Sequence, residues 1–319
     1  MPPLRIHTLQ AFSAVANGGN GAGVVLNAPD LLAAEYTAIA QAVGFSETAF
    51  VLPSKRADVR VRFFTPAGEV DFCGHATVAT FALLFQQGIL KPGTYTQETL
   101  AGVLNVRILP DGYIWMDQQQ PSYGPILPPE PIAQSLGMAA SQLLAHAPVQ
   151  IVSTGLPDIL VGVKDRETLW TLEPDFEAIR QLSVEHQVTG YHVFCLEPIA
   201  AYSTAHCRNF APRYSIDEEP ATGSASGALA CYLHHYGLLA APMSASISAP
   251  IAAPGDPVAA VTLQLEQGWT LYSPAYIQVC LQLNPSAPKE ILGVQVGGYA
   301  TQTGCIEYPT ETTTPAPGQ

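Results

Sequence analysis

The chain has 319 residues, 48% of them hydrophobic and only 12% charged, which is ample apolar material for one large or two medium domains with a buried core. With 13 Lys and Arg against 26 Asp and Glu, the net charge of −13 leaves too few cations to track a nucleic acid or an anionic membrane, so neither is an expected partner. The opening MPPLRIHTLQAF lacks the basic-then-apolar order of a signal peptide, and no apolar run reaches the roughly 18 residues of a membrane span, so a cytoplasmic protein is expected.

Residues 5–12, RIHTLQAF, alternate as a strand does, and the glycine-rich GGNGAGVVLN after them reads as a turn leading into another strand. A helix is expected next. Asp30 offers an N-cap, Leu32, Tyr36, Ile39, Ala40 and Val43 recur at helical spacing, and Gly44 stands where a C-terminal glycine belongs. The β-branched and aromatic segments ETAFVL (47–52) and VRVRFFT (59–65) read as strands. Residues 76–87, ATVATFALLFQQ, are apolar on nearly every side and stop at Gly88. A helix without a polar face belongs inside a protein, wrapped by strands.

The second half repeats the device. After the strand-like QIVSTG, DILVGV and YHVFCL, residues 224–236, SASGALACYLHHY, form a second apolar helix that stops at Gly237. The final YPTETTTPAPGQ is rich in Pro and Thr and has no apolar period, so residues 309–319 are expected to be a disordered tail. Six cysteines (Cys73, Cys195, Cys207, Cys231, Cys280, Cys305) are scattered without a CxxC pair, which suits reduced, mostly buried thiols and argues against structural zinc.

The approaches to the two apolar helices match. RFFTPAGEVDFCGHATVATFALL and RNFAPRYSIDEEPATGSASGALACYL share Arg-x-Phe-[Thr/Ala]-Pro, an acidic stretch, and a glycine that opens the helix: Gly74 in one and Gly223 in the other. This suggests an internal duplication whose two helix N-termini face each other across an anion-binding cleft. The competing reading is two core helices with ordinary glycine turns.

These residues resemble the PhzF-like family of phenazine-biosynthesis isomerases, relatives of diaminopimelate epimerase and proline racemase. The carriers are GGNGAGVV (18–25), FSETAFV (45–51), RFFTPAGEVDFCGHAT (62–77), VSTGLPDILV (152–161), EEPATGSASG (218–227) and VGG (296–298). The resemblance implies an α+β diaminopimelate epimerase-like fold, with two pseudo-twofold lobes that each wrap a barrel-like sheet around one helix. The expected boundaries are residues 1–125 plus about 294–308 for the first lobe and 126–293 for the second, with the last strand, around Gly297 to Ile306, returning to the first. A homodimer, a small carboxylate substrate and no metal or cofactor are expected with it.

The wider superfamily works with two cysteines, one at the start of each central helix. Cys73 supplies the first, but the matching position holds Thr222, whose hydroxyl is too weak an acid, so a two-thiol racemase is disfavoured. In the PhzF-like pattern the proton carrier is a glutamate, here Glu47 in Ser46-Glu47-Thr48. Such a carrier calls for a carboxyl whose pKa is raised by an apolar pocket, and Phe45 and Phe50 flank it. The plain alternative is a solvated turn residue. His75 matches the family's histidine and would bind substrate or orient Glu47, or else cap the helix. Glu219 stands where an aspartate is usual, making the third catalytic candidate. Gly74, Gly223 and Ser224 match residues whose backbone N–H groups hold the substrate carboxylate, a role that helix termini support independently. Asn20, Cys73 and Thr222 complete the expected binding set. Gly21 replaces a proline and Ser273 precedes Pro274 where an arginine is usual, so a retuned or non-catalytic carboxylate binder is a further reading.

Overall fold

The computed structural model describes residues 3–16, 18–239 and 259–309. The alternating first segment is β1 (Leu4–Ala11), and the glycine-rich loop leads into β2 (Asn20–Val25). Then follow α1 (Ala33–Val43), β3 (Glu47–Leu52), β4 (Val59–Thr65), β5 (Gly68–Val70) and α2 (Gly74–Gln86). The strands β6 (Gly93–Thr99), β7 (Gly102–Ile108) and β8 (Ile114–Asp117) close the first half. The second opens with β9 (Ser122–Ile126), α3 (Pro129–Ser135), β10 (Gln150–Ser153) and β11 (Pro157–Gly162). Next are α4 (Arg166–Trp170), α5 (Phe176–Glu185), β12 (Tyr191–Cys195), β13 (Ala205–Ala211), β14 (Ile216–Glu219) and α6 (Gly223–His235). Last come β15 (Ala259–Gln267), β16 (Ala275–Asn284), β17 (Ala287–Gly298) and β18 (Ala300–Tyr308).

Strand pairing makes the duplication explicit. One sheet runs β18-β1-β2-β3-β4-β6-β7-β8 and the other β9-β10-β11-β12-β13-β15-β16-β17. Position by position the strand senses agree, with the parallel pairs β2–β3 and β4–β6 matched by β11–β12 and β13–β15. Parallel neighbours need a crossover, and helices supply it: α1 for β2–β3, α2 for β4–β6, α4 and α5 for β11–β12, and α6 in the crossover for β13–β15. The sheets join where β17 pairs with β8.

The repeated Arg-x-Phe explains itself here. Arg62 forks onto Glu69 with two bonds of 2.7 Å and lies 5.0 Å from the Phe64 ring. In the other lobe, Arg208 forks onto Glu218 at 2.9 and 2.8 Å and lies 4.9 Å from Phe210. Each clasp ties the strand before the central helix to the hairpin that launches it. The helices themselves are enclosed: His75 through Leu84 of α2 and Gly223 through Leu233 of α6 are buried without interruption. One apolar core includes both, with Phe81 and Leu83 from α2 and Leu229 and Leu233 from α6. Truncating such a residue, as in Phe81→Ala, costs about 3–5 kcal/mol.

Three expectations need correction or relocation. Helix α1 is capped at Leu32 rather than Asp30, because Glu35 reaches back to accept from the Leu32 N–H at 2.7 Å, and Leu32 itself is exposed. Gly44 does close it, in the left-handed conformation at φ 77°. The single last strand expected from Gly297 to Ile306 is two strands, β17 and β18. A side chain at Gly297 would strike Trp115, and one at Gly298 would strike Phe12, so only glycine lets the chain pass there before it turns to pair with β1. The expected disordered tail, beyond Pro309, lies outside the described residues. All six cysteines are free thiols, five of them buried, and among the described residues no helix is long and apolar enough to cross a membrane.

Candidate active site

The two central helices begin nose to nose. A methyl group added at Gly74 would lie 3.8 Å from the Cα of Gly223, and Met116 packs beneath both glycines. Neither N-cap residue, Cys73 or Thr222, uses its side chain to cap. The first helical bonds are made by Thr77 N–H to Cys73 and Ser226 N–H to Thr222, so the N–H groups ahead of them, at Gly74, Gly223 and Ser224, are left for a ligand. Two helix dipoles add their positive ends at the same place. A cavity of about 250 Å³ opens there, lined by Glu47, Cys73, Gly74, His75, Glu219 and Ser224 among others.

His75, from the first turn of α2, stands between two carboxyls. Its Nε2 is 3.2 Å from Glu47 Oε2, delivered by the start of β3, and its Nδ1 is 3.5 Å from Glu219 Oε1, delivered by the end of β14. Asn20 donates to Glu219 Oε1 at 2.8 Å and to the Ala221 carbonyl at 3.0 Å. The same amide nitrogen lies 3.1 Å from His75 Nδ1, so its two protons are shared among Glu219, Ala221 and the ring. The pKa of His75 is well above the ordinary imidazole value: burial opposes the charge, but Cys73 and the Glu47 carboxylate favour it more strongly. The group is an imidazolium.

This arrangement reverses one expectation. Glu47 is buried rather than solvated, but its pKa is lowered, not raised: burial pushes it up, and the adjacent imidazolium, with hydrogen bonds from His75, Ser46 and Cys73, more than offsets that. The raised carboxyl is Glu219, at about 7, where burial outweighs His75 and the negative charge of Glu47 adds to burial. Glu219 is held further by the Thr222 hydroxyl, which donates to its Oε2 at 2.5 Å. Cys73 lies 3.4 Å from His75 Nδ1, but burial first and Glu47 second raise its thiol to about 11, leaving it neutral. His75 does not cap its helix, which removes the plain reading of that residue.

Glu47, Cys73 and His75 place one ligand-type atom each within 4.8 Å of one another. The same three groups are placed to exchange protons with one another and with a ligand in the cavity. Of the expected site set, Glu47, Cys73, Gly74, His75, Glu219, Thr222, Gly223 and Ser224 line this one cleft from opposite lobes, whereas Asn20 stands behind it and reaches it through Glu219. Gln267 was not foreseen. Fully buried on β15, it donates to the Glu219 carbonyl at 2.6 Å and to the Thr222 hydroxyl at 3.0 Å, and accepts from the Thr222 N–H at 3.2 Å. A lone glutamine in an alternating strand gives no sequence signal. Ser273 donates to the Gly19 carbonyl at 2.6 Å and so pins the loop that carries Asn20.

A lobe pair with facing helix termini and a carboxyl–imidazolium–carboxyl cluster between them is the diaminopimelate epimerase-like architecture. Comparison with known proteins agrees. The profile described as Phenazine biosynthesis-like protein matches residues 9–264. An uncharacterized isomerase of Bacillus subtilis (strain 168) is 36% identical over 234 residues, 72% of this chain and 80% of that protein. The trans-2,3-dihydro-3-hydroxyanthranilate isomerase of Pseudomonas fluorescens is 29% identical over 241 residues, 72% of this chain and 79% of that one. The crystal structure of a Bacillus anthracis phenazine biosynthesis protein of the PhzF family superposes with a TM-score of 0.83 at 29% identity, covering 97% of this chain and all of that one. The chain belongs to the phenazine biosynthesis-like (PhzF) family and is an enzyme of the isomerase class.

Proposed function

We propose that the chain moves a proton within a small cyclic or unsaturated carboxylate, without a cofactor, and that Glu47 is the general acid/base. One observation carries this reading. Glu47 is buried, borders the cavity beside the N–H groups of Gly74, Gly223 and Ser224, and has His75 3.2 Å from its Oε2 as counterion, which keeps its carboxyl below the ordinary pKa and ready to accept a proton. A substrate carboxylate at the N–H groups of Gly74, Gly223 and Ser224 would have its negative charge stabilised by both helix termini, which acidifies the adjacent C–H. Glu47 takes that proton and returns it to another carbon of the conjugated system. As the proton arrives, the ion pair with His75 weakens and the second contact of His75, with Glu219, keeps the ring in place.

Glu219, poised near neutrality, presents a hydrogen bond to the substrate from the opposite lobe in either protonation state. The substrate named for the Pseudomonas fluorescens relative is an unsaturated ring carboxylate, which supports this class. A two-thiol racemase finds no second thiol at Thr222, and its first is neutral.

The test is turnover of trans-2,3-dihydro-3-hydroxyanthranilate and related ring carboxylates in D₂O, read by NMR. Deuterium should enter the product with the wild type. Glu47→Gln should lose at least about 100-fold in rate, the usual scale of general acid/base removal. Undiminished turnover and exchange by that variant would remove Glu47 from the role.

A further inference from the structure

The two lobes differ in one register row. In the first, the core-facing positions Ala22, Ala49, Phe63 and Val70 lie along β2, β3, β4 and β5, with Val24 opposite Ala49, Ala49 opposite Phe63 and Phe63 opposite Val70. All four are apolar and pack into the main core. The corresponding positions of the second lobe follow from the same pairings: Leu160 is opposite His192, His192 opposite Asn209, and Asn209 opposite Glu219, with Asp158 two residues before Leu160 on the same face. Where one lobe has Ala, Ala, Phe and Val, the other has Asp158, His192, Asn209 and Glu219. Each of these is buried, and the row ends on a carboxyl of the active site.

The inner members are not satisfied within the described residues. Asn209 donates to His192 Nδ1 at 3.2 Å, which places the ring proton on Nε2, and Nε2 has no acceptor. Asp158 is 1% exposed, and among the described residues no side chain donates to or neutralises its carboxyl; the only donor approaching it is the Gly190 backbone N–H, which is not aligned as a full hydrogen bond. A carboxylate without a donor or counterion cannot remain ionised in such a place. Glu219 does have donors, in Asn20 and Thr222, and a cation in His75. Burial first, and the charge of Glu219 second, hold the Asp158 proton in place well above the carboxyl range, while burial keeps His192 neutral with a pKa lowered to about 3.

We propose that Asp158 is a buried neutral acid standing in one register row with Glu219, and that this second-lobe row, with His192 and Asn209, keeps a further negative charge away from Glu219 while Glu219 serves the cleft. Asp158 does not line the cavity, so it is a positioning residue acting through Glu219. While it keeps its proton it adds no charge, and Glu219 titrates against His75 and Glu47 from the first lobe alone. Once it ionises, Glu219 is driven toward its protonated form. The two carboxyls therefore titrate as a pair, in two macroscopic steps.

The proposal extends the acid/base reading of the same cleft, but its test needs no substrate. Full-length protein labelled with ¹³C at the Asp carboxyls, and separately at the Glu carboxyls, is titrated by NMR from about pH 4 to 10. The wild type should keep one Asp carboxyl protonated at pH 7, and Asp158→Asn should abolish that signal. The Glu219 resonance, assigned by its loss in Glu219→Gln, should follow two steps in the wild type and one in Asp158→Asn. Should the asparagine variant fail to fold, Asp158→Ala copies the residue that the first lobe carries at this place. All Asp carboxyls ionised at pH 7, or superimposable Glu219 curves, would overturn the proposal and leave the isomerase reading untouched. Loss of turnover in Glu47→Gln with these curves intact would support that reading independently.

Discussion

Replacing Glu219 by glutamine should alter how folding stability depends on pH. The carboxyl is 9% exposed, and its pKa moves from an ordinary 4.5 to about 7: burial raises it, His75 pulls it back and Glu47 pushes it up again. A group whose folded pKa lies above its unfolded value contributes stability that is fully present below the unfolded value and is lost as pH rises through the folded one. At about 1.4 kcal/mol per pKa unit, the wild type gives up about 3 kcal/mol between roughly pH 4.5 and pH 7. Glutamine keeps one oxygen, which can accept from Asn20 or from Thr222 but not from both, and does not titrate, so its loss of one bond is a constant offset across pH. Urea unfolding at intervals from about pH 4.5 to 8 should show the variant gaining about 3 kcal/mol on the wild type across that window. Parallel curves, or a gap that moves the other way, would refute the assignment of the raised pKa to Glu219.

Cys73→Ser should retain activity within about tenfold, and iodoacetamide at pH 8 should modify Cys73 slowly, since a thiol at about 11 is about one part in a thousand ionised there. Rapid alkylation with loss of activity would favour a thiol base. Gly223→Ala sets a methyl 3.1 Å from Met116 Cε at the anion site, and the thermal stabilisation given by a substrate carboxylate should fall at least severalfold in ligand affinity. An unchanged ligand shift would place the anion elsewhere. Asn20→Ala removes the donor to Glu219 and to Ala221 and should destabilise by about 1–3 kcal/mol in urea unfolding; a change under 0.5 would show that the bridge between lobes is dispensable.

The sequence revealed the architecture because the fold is repeated. Two greasy helices of like length, each opened by a glycine and preceded by Arg-x-Phe-x-Pro, are local patterns, and the structure needed them twice. The site positions were readable by resemblance, since Glu47, His75 and Glu219 each stand in a recognisable motif. Their charges were not. An apolar neighbourhood at Phe45 and Phe50 suggested a raised Glu47, but the pKa follows from what lies across the cleft. His75 lies between the two glutamates only because β3 begins and β14 ends, on different lobes, beside one helix terminus. Asp158 was invisible for a related reason. In DILVGV it reads as the polar start of a strand, and only the register of four strands shows it buried in a row where the other lobe is apolar.

The pairing of β18 with β1 sets an order on the making of this protein. Leu4 through Ala11 pair with residues 300–308, so β1 waits for β18, nearly 300 residues later, before it gains its second neighbour. The corresponding strand of the other lobe, β9, precedes β10 by residues 127–149, which carry α3, and can pair as soon as both emerge. Synthesis therefore favours the second lobe as the earlier unit, with the first lobe exposing an open strand edge until β18 has been made, a long-range closure of the kind that slows folding and invites chaperones. Pulse proteolysis of nascent chains should find residues 122–298 protected before 4–117, and the reverse order would show that the first lobe is stable without its final strand.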